Sequence, residues 1–170
     1  MTSWTVPTFG SEPTVVINRE YAIKAAFLHR FSNYVQWPAD EFPSLGEPFV
    51  IGVFETNPFG TALDQVAHKK KVDGRAIEIR LVTSVEEALE CQILFVPKSV
   101  PLAVQNTVLH ATHNSPVLVV GESDDFVKRG GNVQFYLEEN RVRFAFGADN
   151  PGDLKVSSKL LAIAKIIPSQ

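Results

Sequence analysis

Three short apolar runs set the strongest limit on how this chain folds: FVIGVF (Phe49–Phe54), ILFVP (Ile93–Pro97) and VLVVGE (Val117–Glu122). A run of this length with no polar alternation marks a strand buried on both faces. Only a sheet covered by helices on each side offers such an environment. The intervening segments carry helix signals. Asn57 can cap a helix with Pro58 at its first position, running to about Lys69. Ser84 and Glu87 form a capping box that opens a short helix through Leu89. Pro101 to about His113 reads as another helix, and Ser123 can cap a short one through Lys128. RAIEIRLV (Arg75–Val82) alternates as a strand.

Before this alternation stands REYAIKAAFLHRFSNYVQWP (Arg19–Pro38). Ile23, Phe27, Phe31 and Tyr34 recur at helical spacing, and Ala22, Ala26 and Val35 widen the stripe, so this face is expected against the core. Glu20 and Lys24 form a favourable i,i+4 pair on the exposed side. Pro38 ends the helix. After Gly130-Gly131, NVQFYLEENRVRFAF holds two alternating runs joined around Glu139-Asn140, a β-hairpin. Asn150, Pro151 and Gly152 make a turn. SSKLLAIAKII reads as a closing amphipathic helix, with Leu160, Leu161, Ile163, Ala164 and Ile167 on or near its inner face. The expected architecture is α/β: a three-layer sandwich with a mainly parallel sheet of flavodoxin-like order and an antiparallel C-terminal hairpin edge. Residues 1–18, with Pro7, Gly10 and Pro13 and no periodicity, read as a flexible arm. Residues 19–170 read as one domain.

Composition narrows the function classes. With 170 residues, 45% hydrophobic and 21% charged, the chain can bury one substantial core. Its formal net charge of -3 argues against a nucleic-acid surface. No apolar run approaches the roughly 18 residues that span a bilayer, so direct membrane insertion is not expected. The opening residues lack a basic start followed by an apolar block and do not read as a secretory signal. A single cysteine, Cys91, rules out an internal disulfide.

No catalytic constellation emerges. GxGxxG and P-loop patterns are missing, and no cofactor is implied. A crevice at the carboxyl ends of the strands remains a candidate ligand site, lined by Glu55, Asn57, Gly60, Lys98 and Ser99. The simpler reading makes these ordinary strand-to-helix loops. His110 and His113 stand one helical turn apart, yet lack the further ligands a metal needs. Cys91 lies just before a buried strand, where a packed thiol is commoner than a nucleophile. Ser157 and Ser158 read as a helix cap, Asp124 and Asp125 as a helix start, and Lys69-Lys70-Lys71 as a solvated run.

Several segments together resemble the YfiR family of small HmsC-like proteins. They are YAIKAAFLHRFSNYVQWP, FVIGVFETNPFGTALDQV, CQILFVPKS, PVLVVGESDDFVKRGGNVQFYLEENRVRFAFG and VSSKLLAIAKI, in family order from about Glu20 onward. Three departures stand out. Only Cys91 remains where better-known members carry disulfides, Gly147 replaces an Asn, and the connection to Ser157 is shorter, altering the surface from Asp149 to Lys155.

The resemblance implies a periplasmic, non-enzymatic regulator whose signal peptide is absent from this sequence. Its partner would be the periplasmic domain of a membrane diguanylate cyclase, or of another membrane sensor, held inactive so that cyclic di-GMP and biofilm formation stay low. A homodimer is compatible with this. Interfaces are anchored by aromatic and Arg side chains. Trp37 and Phe42 after the first helix, and Phe126 with Arg129 before Gly-Gly, are the candidates expected at the surface, although Trp37 would serve core packing equally well. The alternatives are a small-molecule sensor using the crevice and an enzyme using Cys91.

Overall fold

The three apolar runs become the centre of the sheet in the computed structural model, which describes residues 18–148 and 152–168. Of the arm expected over residues 1–18, residues 1–17 lie outside the described residues and Asn18 caps the first helix; Asn150 and Pro151 of the expected turn also lie outside them. Strands β2 (Phe49–Phe54), β5 (Ile93–Val96) and β6 (Leu118–Gly121) are buried throughout. They are numbered from a short β1 (Val35–Gln36) and separated by β3 (Lys71–Val72) and β4 (Arg75–Val82). With β7 (Val133–Glu138), β8 (Arg141–Gly147) and β10 (Lys165–Ile167), the eight-stranded sheet has the order β10-β8-β7-β6-β5-β2-β4-β3. Its five-strand middle, β4-β2-β5-β6-β7, is parallel, and the chain crosses from one side of β2 to the other between β4 and β5. This is the flavodoxin-like order.

Side-chain alternation divides the core. Phe49, Ile51 and Val53 of β2, Ile93 and Phe95 of β5, and Leu118 and Val120 of β6 face one layer. That layer holds α1 (Arg19–Tyr34) and α2 (Ala62–Lys69). Val50, Phe54, Leu94, Val96 and Val119 face the other, formed with α3 (Val85–Ala88) and α4 (Leu102–Thr112). A continuous apolar run is what a strand needs when both of its faces meet helices.

The hairpin β7–β8 pairs Val133 with Phe146 and Glu138 with Arg141. Glu139 and Asn140 at its tip have φ of 51° and 63°, the left-handed pair of a two-residue turn that matches strand twist. Rings tie the hairpin to α1: Phe31 lies 5.9 Å from Phe135 and 5.0 Å from Phe144 between centroids.

Several local expectations are corrected. The helix that follows Asn57 starts at Ala62 rather than Pro58, because the Asn57 side chain accepts from Phe59 N at 2.9 Å and Gly60 takes φ 58°, which holds an intervening turn. Residues 123–129 form turns, not a helix. The closing helix α5 spans only Ser158–Ile163, capped by Ser157. Lys165–Ile167 then runs parallel beside β8, outside the hairpin. The sheet edge offers Ile166 and Ile167 ladder hydrogen bonds and an apolar neighbour in Phe146, which outweighs helical periodicity. Ile163, expected inside, is 59% exposed. Before α5, β9 (Lys155–Val156) pairs with β1.

The largest correction concerns α1. Its buried face consists of Tyr21, Lys24, Ala25, Leu28, Phe31 and Ser32. Of the expected stripe, Phe31 and Val35 are buried and Ala22, Phe27 and Tyr34 pack half-buried against the core, whereas Ile23 and Ala26 point outward. Lys24, expected on the solvent side, is only 3% exposed.

Candidate functional site

The buried Lys24 is explained at the carboxyl end of the sheet. Its ammonium lies 2.6 Å from Glu122 Oε1 and 2.5 Å from Glu20 Oε2. Glu122 follows β6, and its side chain is 2% exposed. The same carboxylate accepts from the Tyr21 hydroxyl at 2.9 Å and from Lys98 N at 2.9 Å. A charge leaves water at tolerable cost only when paired and fully hydrogen-bonded, and Glu122 meets both conditions. Burial and the neighbouring Glu122 carboxylate push the Tyr21 phenol well above its ordinary range, so it stays a neutral donor. The ammonium also lies 4.7 Å from the Tyr21 ring centroid. The network therefore clamps the first turns of α1 onto the loops that follow β5 and β6.

Of the five crevice candidates, Lys98 touches this clamp through its backbone N–H. Glu55 and Asn57 follow β2, and Lys98 and Ser99 follow β5, so the topology brings both loops to the switch point between those strands. Thr56 Oγ1 and Ser99 Oγ share a hydrogen bond of 3.0 Å. Glu55 is exposed with φ 64°, a conformation that non-glycine residues rarely adopt. Gly60 is exposed beyond them. Between the loops, buried Phe59 packs edge-on against Tyr21 at 5.5 Å and Phe95 at 4.8 Å. It fills space over the carboxyl end of β5.

Trp37 and Phe42 lie at the opposite, amino end of the strands. Trp37 Nε1 donates to Gln92 O at 3.0 Å, a carbonyl that also accepts from Leu118 N at 2.8 Å. The Trp37 ring is edge-on to Phe49 at 5.0 Å, and Phe42 stacks on Phe49 at 6.3 Å. The Arg75 guanidinium sits 4.2 Å from the Phe42 ring and donates to Ser44 O and Glu47 O, both at 2.9 Å. Both aromatic residues are half-buried and present only part of their surface to a partner.

The exposure expected of Phe126 is corrected, since it is fully buried. A Cβ added to Gly121 would lie 2.4 Å from its ring, and one added to Gly131 would lie 2.2 Å away. Two glycines thus make the slot that the ring occupies, which explains the second residue of the Gly-Gly pair. Arg129 locks this turn from outside, donating to Asn106 Oδ1 and Gln105 Oε1 at 2.9 Å and to Asp124 O at 3.2 Å.

Cys91 packs against the α3–α4 side of the sheet, where a Cβ on Gly52 would come within 2.5 Å of its sulfur. Burial pushes the thiol up to about 12, so it is not poised as a nucleophile near neutral pH. His110 and His113 are exposed, and no group of three potential metal ligands exists among the described residues.

These features belong to one continuous fold, and a family model described as YfiR/HmsC-like matches residues 21–165 of it. The chain belongs to the YfiR/HmsC-like family. The match takes in the Tyr21–Lys24–Glu122 clamp, the Gly-Gly slot and the hairpin. The YfiR/HmsC-like family is known for periplasmic regulators of diguanylate cyclases, and membership suggests a regulatory rather than a catalytic protein. No helix among the described residues is long and apolar enough to cross a membrane. A comparison with curated proteins finds no match.

Sequence reasoning missed the clamp because Glu122 and Lys24 are 98 positions apart. One signal was available: an acid placed directly after a buried strand, at Glu122, needs a cation or several donors from elsewhere in the fold.

Proposed function

We propose that this chain is a periplasmic regulator that binds the sensory domain of a membrane diguanylate cyclase and holds the enzyme inactive. The observation that carries the reading is the YfiR/HmsC-like match across residues 21–165. Two features support it. The cysteine is buried and protonated, and Phe59 fills space at the switch point where α/β enzymes commonly hold substrate. Function then rests on surface recognition. Trp37 and Phe42 are proposed as contact residues at the amino end of the sheet, with Arg129 acting through the turn it braces.

The test is direct binding of the purified chain to the periplasmic part of the membrane cyclase encoded beside it, followed by cyclase activity with and without the chain. Saturable binding at micromolar or tighter Kd, with lowered activity, is expected. Absence of binding would refute the regulator.

A second reading, small-molecule sensing, is favoured by one feature. Glu55 holds a left-handed backbone beside Thr56 and Ser99 at the switch point, and such strain clusters at ligand sites. A thermal-shift screen tests it, because ligand at about 100 times its Kd stabilises by about 2.7 kcal/mol.

A further inference from the structure

Part of the apolar surface of α1 stays outside the core. Ile23 is 39% exposed and Ala26 is exposed, while Phe27 and Tyr34 pack against the core on one side and stay half-open on the other. Two recesses flank this outward ridge and share Ala26 and His29 as a common wall. One, of about 430 Å³, lies along Ile23, Phe27, Arg30 and Tyr34. The other, of about 310 Å³, lies between α1 and α2 over Ala22, Ala62 and Val66 and ends at Lys69 and Lys70.

The rim of this face is basic. The chain carries 19 acidic against 16 basic residues, yet no Asp or Glu lines either recess. Arg30, Lys69 and Lys70 make no ion pair among the described residues, as holds for most Lys and Arg of the chain, so they are free to meet acidic groups of a partner. Arg30 lies over the Phe27 ring at 6.0 Å. The result is an apolar double groove rimmed by uncompensated cations.

We infer that the α1–α2 face receives an amphipathic helix of the partner protein, with apolar residues in the two recesses and acidic residues against Arg30, Lys69 and Lys70. A helix presents apolar side chains at steps of three and four, which fits paired recesses on either side of a ridge. The cationic rim selects acidic flanks and speeds encounter. A bilayer surface fits less well, because it is engaged by projecting apolar side chains rather than by recesses. This inference rests on the regulator reading above and adds a second contact surface to the one proposed at Trp37 and Phe42.

The test uses the full chain with two variants at exposed positions, Ala26→Asp and the double change Lys69→Glu and Lys70→Glu. Each is first compared with wild type for its unfolding midpoint. Calorimetry measures binding to the periplasmic sensory domain of the membrane cyclase at low and high salt. In parallel, amide NMR shifts are followed on adding a synthetic amphipathic helix with a Glu-bearing polar face, its Glu-to-Lys counterpart, or phosphatidylglycerol vesicles. Both variants are expected to weaken the sensory domain by about tenfold or more. The Glu-bearing helix should shift amides around Ala26 and Val66, while its Lys counterpart and the vesicles should not. Wild-type binding that both folded variants retain overturns the groove and leaves the regulator standing. No wild-type binding overturns the regulator, and the groove is then decided by the Glu-bearing helix alone. Shifts from vesicles without shifts from that helix overturn it in favour of anionic lipid.

Discussion

Replacing Lys24 by Met keeps the apolar stem and removes the ammonium, leaving Glu122 buried without its cation. At 2.6 Å the pair attraction is about 6 kcal/mol if the effective dielectric constant is near 20. Desolvation of both groups offsets much of that, so the intact pair contributes little net stability. Removing one partner is different, costing about 3–5 kcal/mol because a charge stays buried. The lower end applies here, since Glu122 keeps the Tyr21 hydroxyl and Lys98 N–H as donors. A loss of about 3 kcal/mol is a large share of the roughly 5–15 kcal/mol that holds a domain together. With a urea m-value of about 2 kcal/mol/M, the unfolding midpoint should fall by about 1.5 M. Glu122→Gln alone should cost less, because Lys24 retains Glu20 at 2.5 Å. The double variant should be more stable than Lys24→Met alone, with a coupling of about 1–3 kcal/mol. Urea unfolding with far-UV circular dichroism reads all four proteins. A Lys24→Met loss below about 1 kcal/mol, or strict additivity with Glu122→Gln, would refute the reasoning.

Other expectations follow from packing and backbone geometry. Gly121→Ala should cost about 1–3 kcal/mol by overpacking against the Phe126 ring, which stands 2.4 Å from the new Cβ, and Phe126→Leu in the same chain should recover part of the loss in thermal melts. With the thiol raised from an ordinary 9.0 to about 12, iodoacetamide at pH 8 should alkylate Cys91 about 1000-fold more slowly in the native state than in urea. The same shift has a sign for stability: its contribution is complete below pH 9.0 and lost as pH rises toward about 12, because only the unfolded thiol ionises in that window. Native alkylation at the unfolded rate would place Cys91 at the surface. The double change Glu139→Asn with Asn140→Gly puts the residue pair that two-residue turns prefer at the hairpin tip. It relieves two left-handed residues and should raise stability by about 1 kcal/mol; an unchanged melting temperature would contradict the turn assignment.

How much of this was legible in the chain depends on the range of the interaction involved. The strands Phe49–Phe54, Ile93–Val96 and Leu118–Gly121 and the hairpin around Glu139-Asn140 agree with their sequence patterns. The Ser84–Glu87 box forms with an N–H donated to Ser84 Oγ at 3.2 Å. All of these signals are local. The candidate site was legible only in part. Both loops of the crevice meet at the switch point, as strand order requires, but the expected exposure of Phe126 failed because its slot is made by Gly121 and Gly131 together.

Local chemistry in the sequence by itself thus determined the α/β class, the positions of the central strands, the Ser84 and Ser157 caps and the hairpin. These follow from periodicity and backbone preference within a few residues. Tertiary structure alone decided which side of α1 faces inward. An apolar count could not choose between two faces that both carry aromatic and alanine residues. The choice fell to a charge: Glu122, held at the end of β6, offers Lys24 a buried partner, and α1 is rotated to meet it. That rotation leaves Ile23 and Ala26 outside and Phe27 half-buried at the edge of the core. Tertiary contact likewise turned Lys165–Ile167 from helix to strand, because an open sheet edge supplies hydrogen bonds that no local pattern reveals.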